Sequence, residues 1–139
     1  MDIAELLPAQ IQSQITLPLF LHSSSAGFDS PVDEEGDGLD LNDYLIRRPA
    51  STFYARAQGD AMASEGIHDG DLLVVDRGVQ PQHGDLVIAV SETEMLCRQL
   101  DLRDSCLRAG DEEIAPLALE ERADLRIEGV VVHSIRQHR

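Results

Sequence analysis

Short apolar segments, each preceded by a turn, constrain the fold of this chain more than any other feature. DLLVVD and DLVIAV each follow glycine, are too short for buried helices, and are rich in Val, Leu and Ile. STFYARAQ alternates apolar and polar residues, and no strand-like segment alternates with a helix. The pattern predicts a mainly β domain over 41–139, a curled sheet or small barrel. The strand-like segments are 51–58, 71–76, 85–90, 94–102 and 126–136.

The first forty residues have a different character. HSSSAGFDSP (22–31) and VDEEGDGLD (32–40) contain too little apolar surface to fold alone, so residues 1–40 are predicted to form an acidic, flexible arm. Within it, TLPLF (16–20) is either a docking motif or a segment that packs back on the domain. DLNDYLIRR (40–48) predicts one short helix with arginines at its C-terminal end and Pro49 beyond it.

Charge and composition narrow the classes of partner. The formal net charge of −15 repels phosphate backbones, so we expect no direct DNA binding. Proteins with basic surfaces are more suitable partners for this charge than DNA is. The negative charge also favours solubility. No segment is long and apolar enough to span a membrane, and the start does not resemble a signal peptide; we expect a cytoplasmic protein. The two cysteines do not make a disulfide framework.

The turn GDAM (59–62) has features that a nucleophile site needs. Gly59 and Asp60 allow a tight turn, and Met62 can anchor it in apolar surroundings. A helical turn starting near Ala61 would point N–H groups at a bound carbonyl, as an oxyanion site requires. Gly-Asp-x-Met is a weak motif by itself, because ordinary turns share it.

Several motifs in one order resemble the LexA/UmuD family of self-cleaving Ser/Lys peptidases. GDxM is followed by GIxDGDLLxVD (66–76), HGDxVIA (83–89), a strand ending LxL (100–102) and GVVxH (129–133). TLPLF and AGFDSP (26–31) fit the UmuD type better than the LexA type. Only 25 residues precede Ala26, and they lack the helix-turn-helix pattern of a repressor.

The resemblance implies a serine nucleophile and a lysine base about 37 residues later. Those positions carry Ala61 and Arg98, although a one-residue slip would place the base position at Gln99. Alanine has no attacking oxygen, and a guanidinium does not give up its proton at neutral pH. The resemblance also implies a scissile bond in the arm, for which Ala26-Gly27 fits. A natural pseudo-enzyme and an engineered inactive form explain these residues equally well.

The resemblance further implies a UmuD-like accessory subunit of an error-prone translesion polymerase in the SOS response, kept uncleaved. The expected partners are a second copy, a UmuC-like polymerase subunit, the RecA filament and the sliding clamp. The residues expected to contact the clamp are Thr16, Leu17, Pro18, Leu19 and Phe20. The alternatives are a peptidase that is active through another residue such as Ser64, or that can be reactivated, and a LexA-like repressor fragment.

Other polar residues fit structural roles. His68, His83 and His133 are scattered along the chain, so we predict no metal site, and no motif predicts a cofactor. Cys97 lies beside the base position but has no evident base of its own. We expect Asp60 and Asp71, which follow glycines at turns, to accept backbone N–H bonds.

Overall fold

The computed structural model describes residues 2–8, 16–18 and 38–139. They belong to two units: Met1–Ala9 with Ala50–Arg139, and Gln10–Pro49. The first unit contains a large antiparallel sheet, which confirms the predicted mainly β fold. The described strands are β1 (Asp2–Pro8), β2 (Thr16–Pro18), β3 (Gly38–Asp40), β4 (Thr52–Gln58), β5 (Leu72–Asp76), β6 (Leu86–Val90), β7 (Met95–Asp101), β8 (Cys106–Arg108), β9 (Leu117–Ala118) and β10 (Arg126–Ile135), with helix α1 at Leu41–Leu45.

The large sheet curls on itself. Its strands run in the order β1-β4-β5-β10-β6-β7-β8-β9, and every neighbouring pair is antiparallel. Asp2 of β1 pairs with Gln58 of β4 and also with Leu96 of β7. This double pairing brings two distant strands of the sheet together, so the sheet is barrel-like rather than flat.

Side chains pack on both faces of β6 and β7. Alternate residues point to opposite faces of a strand, so Ile88 and Cys97 enter one core while Val87 and Leu100 enter another. Burial on both faces explains why these segments read as continuous apolar runs. The first cluster is Ala55, Ala57, Met62, Ile67, Leu73, Val75, Ile88 and Cys97. The second cluster is Val87, Ala89, Leu100, Leu107 and Val130.

The second unit contains a two-stranded sheet and the short helix. Thr16 pairs with Asp40, so β2 runs antiparallel to β3. The Asp40 side chain caps α1 by accepting the N–H of Asn42 at 3.0 Å. The helix ends at Leu45, because Ile46 is extended (φ −123°, ψ 96°). The prediction of a helix over 40–48 ending in arginines was therefore wrong in its length, and Arg47 and Arg48 follow the helix.

The observed division differs from the predicted boundary at residue 40. DIAELLP forms β1 in the large sheet, and its register with β4 runs from Asp2 opposite Gln58 to Pro8 opposite Phe53. Its two acidic residues made it look like part of a polar arm. The strands β8 and β9 were also not predicted, because three and two residues are too few to show a period. The arm between residues 19 and 37 lies outside the described residues.

A substitution at Gly129 can test the close packing at the centre of the sheet. It lies beside an irregularity in the β10–β6 register, and a Cβ there would come within 2.7 Å of Val75 Cγ1 and 3.3 Å of the Asp76 carbonyl oxygen. We expect Gly129→Ala to lower the free energy of unfolding by about 1–3 kcal/mol. Urea denaturation measures this, with Ser134→Ala on the exposed part of the same strand as control. An unchanged unfolding midpoint for Gly129→Ala would contradict the described packing.

Candidate functional site

The loop between β4 and β5 is closed by its own hydrogen bonds. Gly59 has φ +86°, and its N–H donates to Asp69 Oδ1 at 2.7 Å. The N–H of Asp69 donates to Asp60 Oδ1 at 3.2 Å. At the base of the loop the N–H of Ala57 reaches the Asp71 carbonyl, at 2.9 Å. The loop therefore holds residues 60–62 in a defined turn beside the sheet.

Asp71 secures the far side of this loop. Its side chain is almost completely buried and accepts the N–H of His68 at 2.8 Å. Arg136 Nε lies 3.3 Å from its other oxygen, so the buried carboxylate has a charged partner. The predicted structural roles of Asp60 and Asp71 as acceptors of backbone N–H bonds are confirmed.

Ala61 and Met62 form the centre of the turn. Ala61 is half-buried and packs against the first cluster, and the Met62 side chain is completely buried within it. A short 3₁₀ turn follows at Ala63–Glu65, two residues later than the helical turn expected near Ala61. Within the described part of the chain, the N–H groups of Ala61 and Met62 meet no hydrogen-bond acceptor.

The segment after β8 supports the turn from a distant part of the chain. The Ala61 carbonyl oxygen accepts two N–H groups, from Gly110 at 2.8 Å and Asp111 at 3.1 Å. The N–H of Gly110 also lies 3.2 Å from the sulfur of Met62. Sequence reasoning missed both donors, because they act through backbone atoms and carry no motif.

Arg98 lies in the middle of β7. Among the described residues, β7 pairs with β1 at Leu96 and with β8 from Gln99 to Asp101. Arg98 is 7% exposed, and its Nη1 donates to the Cys97 carbonyl at 2.8 Å. In the β6–β7 register Arg98 lies opposite Val87, so its side chain starts from the face opposite to Cys97. Ala61 and Arg98 remain a predicted pair.

The other candidate nucleophiles have poor chemistry. The Ser64 hydroxyl donates to the Gly110 carbonyl at 2.9 Å, and no base among the described residues accepts its proton. Burial raises the pKa of the Cys97 thiol to about 11, against a smaller opposing effect of the Arg98 charge. A thiol with that pKa is protonated at neutral pH and is a weak nucleophile.

Several predicted site residues lie outside the described part of the chain. Ala26 and Gly27, the predicted scissile bond, are among them, as are Leu19 and Phe20. Thr16–Pro18 forms β2, so the first part of the predicted clamp motif is a paired strand. Within the described ranges, no three His, Cys, Asp or Glu side chains converge as a metal site would require.

Comparison with known proteins identifies the family. The Peptidase S24-like family model matches residues 18–132, which include positions 61 and 98. The chain belongs to the Peptidase S24-like (LexA/UmuD) family. Protein SamA of Salmonella typhimurium is 42% identical over 95% of the chain and 94% of its own length. Protein MucA of Escherichia coli is 36% identical over 88% of the chain and 86% of its own length.

A third relative of the S24-like chain is similar over a shorter region. Protein ImpA of Escherichia coli is 51% identical over 62% of the chain, and the match spans 60% of ImpA. SamA, ImpA and MucA are UmuD-like proteins, so the chain is a mutagenesis protein of the UmuD-like group. Among the described residues, no helix is long and apolar enough to cross a membrane.

The Cys97 thiol provides a test of the buried β7 environment. Because its pKa is raised from 9.0 to about 11 in the folded protein, the neutral thiol stabilises the fold below pH 9. That contribution, about 2–3 kcal/mol, should be lost as the pH rises from 9 to 11.

Urea unfolding of the parent chain and of Cys97→Ala across that range measures the effect. The difference in unfolding free energy between the two proteins should shrink as the pH rises, since only the parent has the buried thiol. A difference that stays constant would show that Cys97 is not held in a desolvated site.

Proposed function

We propose that the chain is a UmuD-like accessory subunit of an error-prone translesion polymerase that stays in its uncleaved form. The observation that carries this proposal is the methyl group of Ala61 in a turn built like a nucleophile site. The turn is closed by its own hydrogen bonds and anchored by the buried side chain of Met62. The N–H groups of Ala61 and Met62 have no acceptor among the described residues. The position that should bear the attacking oxygen bears none.

The arginine at position 98 supports the proposal that the general base is missing as well. A buried lysine can become neutral and accept a proton from serine, because desolvation lowers its pKa. A guanidinium keeps its charge even when it is 7% exposed, and here it donates a hydrogen bond to the Cys97 carbonyl. Arg98 therefore holds a positive charge at the base position and removes no proton. Either substitution alone would prevent self-cleavage by the Ser/Lys mechanism.

The proposed partners follow from the UmuD-like relatives and from charge. We propose a homodimer that binds a UmuC-like polymerase subunit, the RecA filament and the sliding clamp, with residues 16–20 as the clamp contact. The net charge of −15 favours proteins with basic surfaces over direct contact with DNA. The same charge disfavours a role as a repressor fragment. The proposed location is the cytoplasm, where these partners act.

Restoring the two catalytic residues tests the proposed function. The full chain, incubated with activated RecA filament, should yield no fragment that begins at Gly27. The double variant Ala61→Ser with Arg98→Lys should cleave Ala26-Gly27, while each single variant stays intact. Its cleavage rate should rise with pH, because the lysine must lose its proton to act as base. Mass spectrometry identifies the fragments.

Controls separate the alternatives. Adding Ser64→Ala to the double variant should leave cleavage in place, since the Ser64 hydroxyl is bonded to Gly110. A fragment beginning at Gly27 from the parent chain would overturn the claim of an inactive site. A folded double variant that never cleaves would show that positions 61 and 98 are not the catalytic pair.

A further inference from the structure

The segment Ala109–Asp111 leaves the sheet at the point where it reaches the turn around Ala61. Arg108 is the last residue of β8 and pairs with Gln99. If β8 continued in register, Ala109 and Gly110 would lie opposite Arg98 and Cys97. Instead the N–H groups of Gly110 and Asp111 turn to the Ala61 carbonyl oxygen, at 2.8 and 3.1 Å.

We propose that Ala109–Asp111 is a positioning segment that fixes the backbone of residue 61 and so the direction of its side chain. The inference rests on the proposed function in one respect, the identity of position 61 as the nucleophile position. None of its atoms acts on a substrate. The segment acts through the backbone of the turn.

Two donors on one carbonyl fix the orientation of a peptide plane. The carbonyl oxygen of Ala61 and the N–H of Met62 belong to the same planar group, so the bonds from Gly110 and Asp111 set the direction of both. The buried side chain of Met62 holds the next residue. With its carbonyl and its following residue fixed, residue 61 has a defined Cβ direction, which is what a nucleophile requires.

Gly110 allows the close approach because it has no side chain. A Cβ at this position would lie 2.4 Å from Ser64 Oγ, 3.2 Å from the Ala61 carbonyl oxygen and 3.4 Å from Met62 Cα. Gly110 is not among the residues with positive φ, so the requirement is for space and not for an unusual backbone conformation. The hydroxyl of Ser64 completes the contact by donating to the Gly110 carbonyl at 2.9 Å.

A thiol introduced at position 61 can report on this positioning without any cleavage reaction. Cys97 and Cys106 are both buried, so in the folded Ala61→Cys variant iodoacetamide should modify the introduced thiol first. Adding Gly110→Ala should raise the alkylation rate by about threefold or more and lower the protection of the residue-111 amide from hydrogen exchange by about tenfold. Peptide mass spectrometry gives both values.

A second substitution tests the steric cause. Ser64→Ala removes the atom nearest to the new methyl group, so the combination with Gly110→Ala should recover most of the alkylation rate and amide protection of the parent. Ser64→Ala alone should raise the alkylation rate by about twofold, through loss of one hydrogen bond, and this comparison stands if Gly110→Ala does not fold. Glu112→Ala, at an exposed neighbouring position, is the matched control and should change neither value.

The alkylation and exchange measurements can fail independently of the cleavage experiment. Unchanged alkylation and amide protection in a folded Gly110→Ala variant would overturn the positioning role. Loss of protection that Ser64→Ala does not restore would overturn the steric explanation. A Ser64→Ala variant that behaves like the parent would overturn the contribution of the Ser64 hydrogen bond to the positioning. Failure of the Ala61→Ser, Arg98→Lys variant to cleave would overturn the proposed function and leave these measurements valid.

Discussion

The carbonyl oxygen of Ala61 joins two parts of the chain that are far apart in sequence, its own turn and the segment that follows β8. It receives N–H groups from Gly110 and Asp111, its own turn is anchored by Met62, and the supporting segment continues from β8, which pairs with β7. The turn is held by hydrogen bonds between backbone groups and by the carboxylates of Asp60, Asp69 and Asp71, none of which involves the side chain at position 61. This explains how a nucleophile-like turn is retained with an alanine in it.

The chemistry expected of positions 61 and 98 follows from solvation. Peptide hydrolysis by a Ser/Lys pair needs a group that is charged in water and neutral in the protein, and a lysine amine meets that need while a guanidinium does not. Burial at β7 is strong enough to raise the pKa of neighbouring Cys97 to about 11. Arg98 is itself 7% exposed on the other face of the strand, and its guanidinium keeps its charge there, so it does not act as a base.

Much of the large sheet could be predicted from sequence, and the support of the site could not. The strands β4, β5, β6, β7 and β10 were predicted because alternation or apolar runs between Gly-Asp turns mark them. DIAELLP was missed because its acidic residues hide a strand that pairs at both edges. Positions 61 and 98 came from motif order. The role of Gly110 depends on a backbone hydrogen bond to Ala61, far away in the sequence, for which no sequence pattern exists.

The proposed catalytic pair requires position 61 and the Arg98 guanidinium to lie close together, and the pKa of a thiol at position 61 tests that proximity. In Ala61→Cys, iodoacetamide alkylation as a function of pH gives that pKa. We expect Arg98→Gln to raise the thiol pKa by about one unit or more, because a nearby positive charge stabilises the thiolate. Arg126→Gln, at a side chain 74% exposed, should leave it unchanged. Equal thiol pKa values with and without the Arg98 guanidinium would show that the two positions do not share one site.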